Sequence, residues 1–302
     1  MRILYGTLTS NIDVTDICIH QLKIGNYLII PAGDLARAKV FTDPLPNVLK
    51  SIFVVSDGTT EYNDSLSLYI DMATNTVSTY MPTLVDPMAK LTDLQKKLSL
   101  RYGTFAEELP EQKMAVRYLK GTESVLEIGG NIGRNSLIIS SILSDSGRLV
   151  VLESDKRIYS QLKENRDVNG FHFHIEGSAL SKRNLIQRGW TTIVSDTVLP
   201  GYTPVSTITY AELMDKYKIP FDTLVLDCEG AFYYILQDMP EILNGINLII
   251  MENDYVDGNH KNYIDDLLKK NNFYVDYTEA GGETFGCYCP CSNNFFEVWK
   301  RT

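Results

Sequence analysis

No apolar run in this 302-residue chain approaches the ~20 residues needed to cross a bilayer, so no membrane-spanning helix is expected. The opening residues, Met1-Arg2-Ile3-Leu4-Tyr5-Gly6-Thr7, lack the apolar centre of a secretory signal. Basic residues are also scarce, with 28 Lys and Arg against 38 Asp and Glu and a net charge of −10. Phosphate binding normally leaves a basic footprint, so nucleic acid is not the expected partner. Cysteine is sparse and odd in number, at five residues. With no signal segment, that points to a reducing compartment such as the cytoplasm. Three of the five form Cys287-x-Cys289-x-Cys291, but zinc sites usually space paired ligands by two to four residues and no histidine lies nearby in sequence. A reduced loop before the last strand is expected there, and no metal site.

The remaining composition, 44% hydrophobic and 22% charged, is that of a globular protein large enough for two domains. Residues 1–85 read as a small all-β domain. Short β-rich runs (Ile3–Thr7, Ile17–Leu22, Tyr27–Pro31, Ile52–Ser56, Leu66–Ile70) alternate with turns at Lys23-Ile24-Gly25-Asn26 and Ser56-Asp57-Gly58, the spacing of a β-sandwich. Residues 86–302 change texture. Leu91, Leu94 and Leu98, then Met114, Ala115, Tyr118 and Leu119 after Pro110, suggest lead-in helices. Strands are expected at 125–128, 148–152, 171–175, 221–226, 246–251, 273–278 and 295–299, mostly separated by helical patterns. That alternation predicts an α/β fold, a mostly parallel Rossmann-like sheet with helices on both faces.

The most informative segment is Glu123 to Ser136. An apolar strand ends in Glu127, breaks at Gly129, Gly130 and Gly133, and re-enters a helical pattern through Ile138, Ile139, Ile142 and Leu143. The spacing reads E-x-G-x-N-x-G, where the dinucleotide fingerprint G-x-G-x-x-G would require glycine in place of Ile128. An acid at the strand tip suits a ligand with positive charge, such as the ammonium and sulfonium of S-adenosylmethionine. A second strand ends in Glu153, about 20 residues beyond the turn, where a carboxylate can accept ribose hydroxyls. Asp155 is placed to cap the next helix, whose inner face carries Ile158, Tyr159 and Leu162.

Two resemblances follow. Residues ~105–300 resemble the FkbM-type S-adenosylmethionine-dependent methyltransferases through Glu127-Ile128-Gly129-Gly130-Asn131-Ile132-Gly133, Glu153, Ser178-Ala179-Leu180-Ser181, Asp227-x-Glu229-Gly230-Ala231, Glu252 and Phe296-Glu297-Val298-Trp299. Two positions depart from that pattern: Glu127 stands where Asp is usual, and Val225 stands where a lysine is frequent. The resemblance implies cofactor contacts from Glu127, Gly129, Gly130, Asn131, Gly133, Asn135, Glu153, Ser154, Ser178, Ala179 and Asp227. The N-terminal region resembles a C-terminal β domain of a mitochondrial DnaJ-family protein that is also attached to viral proteins. Tyr5-Gly6-Thr7, Asp13-Val14-Thr15, Phe41-Thr42-Asp43-Pro44-Leu45-Pro46 and Lys50-Ser51-Ile52 carry that likeness. It implies a binding or homo-oligomerisation module, and a glycan-modifying protein of a large DNA virus, acting in the host cytoplasm or virion.

The expected activity is O-methylation of a hydroxyl on a sugar, glycan or small molecule. Such a hydroxyl needs a base, and Asp227 and Glu229 at a strand end are the candidates. His260 is either a further base or a solvated loop histidine, and His172 and His174 are read as structural. Mg²⁺ held by Asp227 and the Glu252-Asn253-Asp254 cluster is an alternative arrangement. Two other functions stay open: a non-catalytic assembly protein that keeps the fold, and an NAD(P)-dependent oxidoreductase, which Ile128 disfavours.

Overall fold

A computed structural model describes residues 1–24, 27–56, 58–72, 74–79, 87–189, 191–281 and 290–302. The chain divides into two compact units, Met1–Val85 and Asp86–Thr302.

In the first unit, two four-stranded antiparallel sheets share one core. One sheet contains Arg2–Gly6 and Ser51–Val55, the other Tyr27–Ile30 and Leu68–Asp71. Alternate residues of both meet in the same apolar cluster: Ile3 and Tyr5, Ile52 and Val54, Leu28 and Ile30, Leu68 and Ile70. That is the period-two burial of a sandwich. The structure adds two helices, Thr15–Gln21 and Asp34–Phe41. Residues 17–22, expected as a strand, are therefore mostly helical. Asp13 starts the turn by accepting hydrogen bonds from the Thr15 amide and hydroxyl. Cys18 is the helix residue buried in the sandwich core. The residues behind the N-terminal resemblance form a buried polar network. The Tyr5 hydroxyl donates to Asp34 Oδ1 (2.6 Å), and the buried Lys50 ammonium reaches Asp34 (3.0 Å) and Asp43 (2.9 Å).

The second unit is a seven-stranded sheet. Its strands, in chain order, are β1 (Val125–Ile128), β2 (Leu149–Leu152), β3 (His174–Glu176), β4 (Thr223–Leu226), β5 (Leu248–Glu252), β6 (Phe273–Glu279) and β7 (Phe296–Arg301). The spatial order is β3-β2-β1-β4-β5-β7-β6. The first five strands are parallel, and β7 enters antiparallel between β5 and β6. The order reverses between β1 and β4, where ligands bind in open α/β sheets. The helices are α1 (Pro87–Gln95), α2 (Leu109–Tyr118), α3 (Arg134–Ile142), α4 (Lys156–Val168), α5 (Tyr210–Tyr217), α6 (Phe232–Asp238) and α7 (Gly258–Lys270). One face of the sheet (Leu126, Leu152, Leu224, Ile249) packs on α5, α6 and α7; the other (Val125, Val151, Val225, Ile250) packs on α1 to α4. Asp155 caps α4 by accepting from the Arg157 and Ile158 amides, as the sequence suggests. The segment after β3 forms an antiparallel three-stranded sheet (Leu185–Arg188, Thr191–Val194, Thr203–Val205) that the sequence reading leaves unassigned. Among the described residues, no helix is long and apolar enough to cross a membrane.

Candidate functional site

Side-chain parity along the parallel strands builds the site. Leu126 and Ile128 face one layer of helices, so Glu127 between them faces the other. In β4, Val225 pairs in register with Glu127 and shares its face. Ile250 is on that face in β5, and Glu252 follows it two residues later. Glu127 and Glu252 therefore belong to the face that α2 covers. The start of α2 adds Glu108 and Glu111. Glu108, Glu111, Glu127, Asn135, Asp227 and the Gly129-Gly130 backbone line one narrow cavity.

The glycine turn works by close approach. Gly129 has φ +92°, and a Cβ there would lie 1.6 Å from the Asp227 carbonyl oxygen. The Gly129 and Gly130 amides both donate to the Leu152 carbonyl, and the Asp227 amide donates to Ile128. The tips of β1, β2 and β4 are thereby tied together. Only a glycine fits at that crossing. Asn131, also left-handed at φ 45°, donates from its amide to Glu108 Oε1 (3.0 Å).

Carboxyl groups dominate the electrostatics. Glu127 is buried and accepts from the Ser136 hydroxyl at 2.5 Å; burial pushes it up to about 8. Glu153 accepts from the Asp155 amide (2.8 Å) and from the Asn131 backbone of the glycine turn. Burial still pushes it up to about 7. Asp227, half-buried, is held well above the usual carboxylate range by burial and by the charges of Glu111, Glu108, Glu229 and Glu127. Glu252 is raised by burial, by Asp227, and by a hydrogen bond with Glu111. Glu229 is an exposed residue in a left-handed turn (φ 52°); desolvation of its carboxyl and a hydrogen bond with Asp254 raise it to about 7. Positive charge does not match this. Arg134 is spent on Glu107, Glu108 (2.6 Å) and the Thr104 carbonyl (3.0 Å), and Lys113 bonds Glu279 at 3.0 Å. An excess of buried acid needs protons or a cationic ligand.

The predicted residues divide. Glu127, Gly129, Gly130, Asn135 and Asp227 meet in the cavity, and Glu153, Asn131 and Gly133 surround the adjoining turn. Ser154 contributes its backbone to Glu153. Ser178 and Ala179 follow β3; Ser178 hydrogen-bonds Glu176, and the Ala179 amide donates to Ser206. His260 is in the first turn of α7, not in a loop, and its ring stacks on Tyr233 at 3.7 Å between centroids. It is not among the residues that line the cavity. The Glu252-Asn253-Asp254 cluster splits: Asn253 is buried and donates to the Asn294 carbonyl (2.7 Å), and Asp254 bonds Glu229. Cys287 and Cys289 lie outside the described residues, whereas Cys291 is buried in an apolar cluster. Sequence reasoning missed Glu108, Glu111 and Arg134. The acids at 107, 108 and 111 around Pro110 were the available signal, since acids favour a helix start.

No family model and no curated protein matches the sequence. Several solved structures are similar to it at low identity. Ribosomal protein L11 methylase from Lactobacillus delbrueckii subsp. bulgaricus is 13% identical over 67% of this chain and 82% of its own, with a TM-score of 0.40. The O-methyltransferase from Bacillus cereus in complex with SAH is 12% identical (74% and 93% coverage, TM-score 0.40). The O-methyltransferase TomG from Streptomyces achromogenes, in complex with SAM, is 13% identical (72% and 90% coverage, TM-score 0.40). The functional reading rests on the site.

Proposed function

We propose that the chain is an S-adenosylmethionine-dependent O-methyltransferase of FkbM type whose acceptor is a hydroxyl of a sugar, glycan or small molecule. One observation carries the reading: a glycine turn at the sheet's switch point is flanked by two strand-tip acids, Glu127 in the cavity and Glu153 against the turn backbone. The two suit the two ends of that cofactor. Glu127 and the Asn135 carbonyl oxygen, which is buried without a partner, are acceptors for an ammonium. Glu153 is an acceptor for ribose hydroxyls. When bound, the cofactor supplies an electrophilic methyl group on a sulfonium.

The protein's own work is alignment and proton removal. The cavity is narrow and mostly lined by buried groups, which fixes a ligand's orientation and excludes water. Burial and its acidic neighbours favour the protonated form of Asp227, and nearby positive charge favours its ionised form. It is then the base for the acceptor hydroxyl, a role worth about 10²–10⁴-fold. Calorimetric titration with S-adenosylmethionine and its demethylated product tests the cofactor. No binding at millimolar concentration rejects the reading. Mass spectrometry of glycans after incubation with isotope-labelled methyl donor tests the acceptor. The N-terminal unit is assigned substrate binding or self-association, which sedimentation of the full chain checks.

A further inference from the structure

Glu111, Asp227 and Glu252 each present a carboxylate oxygen, and these oxygens all lie within 4.8 Å of one another. They come from three separate elements: the first turn of α2, the tip of β4 and the tip of β5. A cluster of acids alone indicates nothing about a ligand. Here a second observation does. Glu111 is 7% exposed, and apart from its contact with Glu252, itself a member of the cluster, its buried Oε2 has no hydrogen-bond partner. Asn135, also 7% exposed, leaves its Oδ1 unpartnered in the wall of the same cavity. Both atoms are acceptors, and an orphaned buried acceptor is costly. The nearest cations are engaged elsewhere: Lys113 with Glu279, and Arg134 with Glu107 and Glu108.

We propose that Glu111, Asp227 and Glu252 form a binding site for a hard divalent cation, Mg²⁺ or Mn²⁺, at the edge of this cavity, which Glu111 and Asp227 line. The donor set is all oxygen, which such ions require and which disfavours softer metals. With ligand distances of 2.0–2.1 Å, oxygens around a six-coordinate ion stand about 3 Å apart when adjacent and about 4.2 Å when opposite, so the three carboxylates, within 4.8 Å of one another, would draw together to close on the ion. Three carboxylates leave a six-coordinate ion about three positions for water or for acceptor oxygens. Asn253, the neighbour that a strand-tip cluster would have contributed, is turned away, and Glu111 from α2 takes its place. The cation site stands on these contacts alone. Its role, holding and acidifying an acceptor hydroxyl, rests on the methyltransferase reading, with one Asp227 oxygen on the ion and the other left to take the hydroxyl proton.

The test is titration of Mn²⁺ into the full chain, followed by the loss of the free-ion paramagnetic resonance signal, with Mg²⁺ as competitor. One Mn²⁺ per chain is expected. Binding should weaken about tenfold or more in both Glu111→Gln and Glu252→Gln, which remove ligands on different elements, so that one misfolded variant leaves the other. Glu153→Gln should keep Mn²⁺ and lose affinity for S-adenosylhomocysteine. No Mn²⁺ bound by the wild-type chain at millimolar concentration overturns the proposal, and the cluster is then held by shared protons. Equal Mn²⁺ binding by wild type and Glu111→Gln overturns it as well, because the ion is then elsewhere. Mn²⁺ binding without cofactor binding keeps the cation site and rejects the methyltransferase reading. The converse result does the reverse.

Discussion

At the residue scale, Glu153 and Asp227 have separate tests. Glu153 bonds turn backbone in the free protein and is expected to exchange part of that for cofactor hydroxyls. Glu153→Gln should weaken S-adenosylhomocysteine binding about ten- to a hundredfold, as expected for a lost hydrogen bond to a charged group; calorimetry reads it. Asp227→Asn should retain cofactor affinity and lower turnover by about 10²–10⁴-fold. Unchanged turnover with bound cofactor would remove Asp227 from the chemistry, and an inactive wild type that binds cofactor would favour an assembly role. Gly129→Ala is a backbone test. A methyl group would have to displace the Asp227 carbonyl while adopting a left-handed φ, costing about 2–5 kcal/mol. Denaturant unfolding measures it.

At the element scale, the tips of the parallel strands and the helix after Pro110 were legible, but the placement of that helix over the tips was not. Glu127, Gly129 and Glu153 stood out because a glycine turn between an apolar strand and a helical pattern marks a strand–turn–helix unit locally, without help from the rest of the chain. Asp227 and Glu252 followed from the same strand endings. The sequence did not say which way they faced. That depended on pairing Val225 opposite Glu127, a long-range register. Glu108 and Glu111 were hidden for a related reason. On the sequence they are ordinary acids at a helix start, and only the placement of α2 over the sheet turns them into a cavity wall. The strand expected at 17–22 failed because Asp13, whose carboxylate holds the Thr15 amide and hydroxyl at the helix start, outweighed the β propensity of Ile17 and Ile19. Arg134 is the best single probe of this element arrangement. It ties α3 to the segment before α2, and Arg134→Ala leaves Glu108 half-buried without a counter-ion. A loss of about 3–5 kcal/mol is expected in chemical denaturation.

At the scale of the whole molecule, pH should act in an unusual direction. Glu127 and Glu153 have folded-state values raised to about 8 and about 7 from the ordinary 4.5. The native state therefore binds protons that the unfolded chain has released, so stability falls as pH rises from about 4.5 through 8. Added S-adenosylmethionine should flatten that fall, since it supplies positive charge beside Glu127. Melting temperature against pH, with and without ligand, checks the sign. The two units have separate apolar cores. Calorimetry is expected to show ligand raising the transition of residues 87–302 and leaving that of the N-terminal sandwich in place.

The contact of Gly129 with the Asp227 carbonyl has one more consequence. Two loops that touch through main chain alone cannot rotate independently, so the rim from β1 to β4 behaves as a single stiff hinge plate. Accommodation of differently sized guests therefore falls to its opposite jaw, the left-handed Glu108 and the first turn of α2. Selectivity evolved or engineered in this scaffold should be sought there.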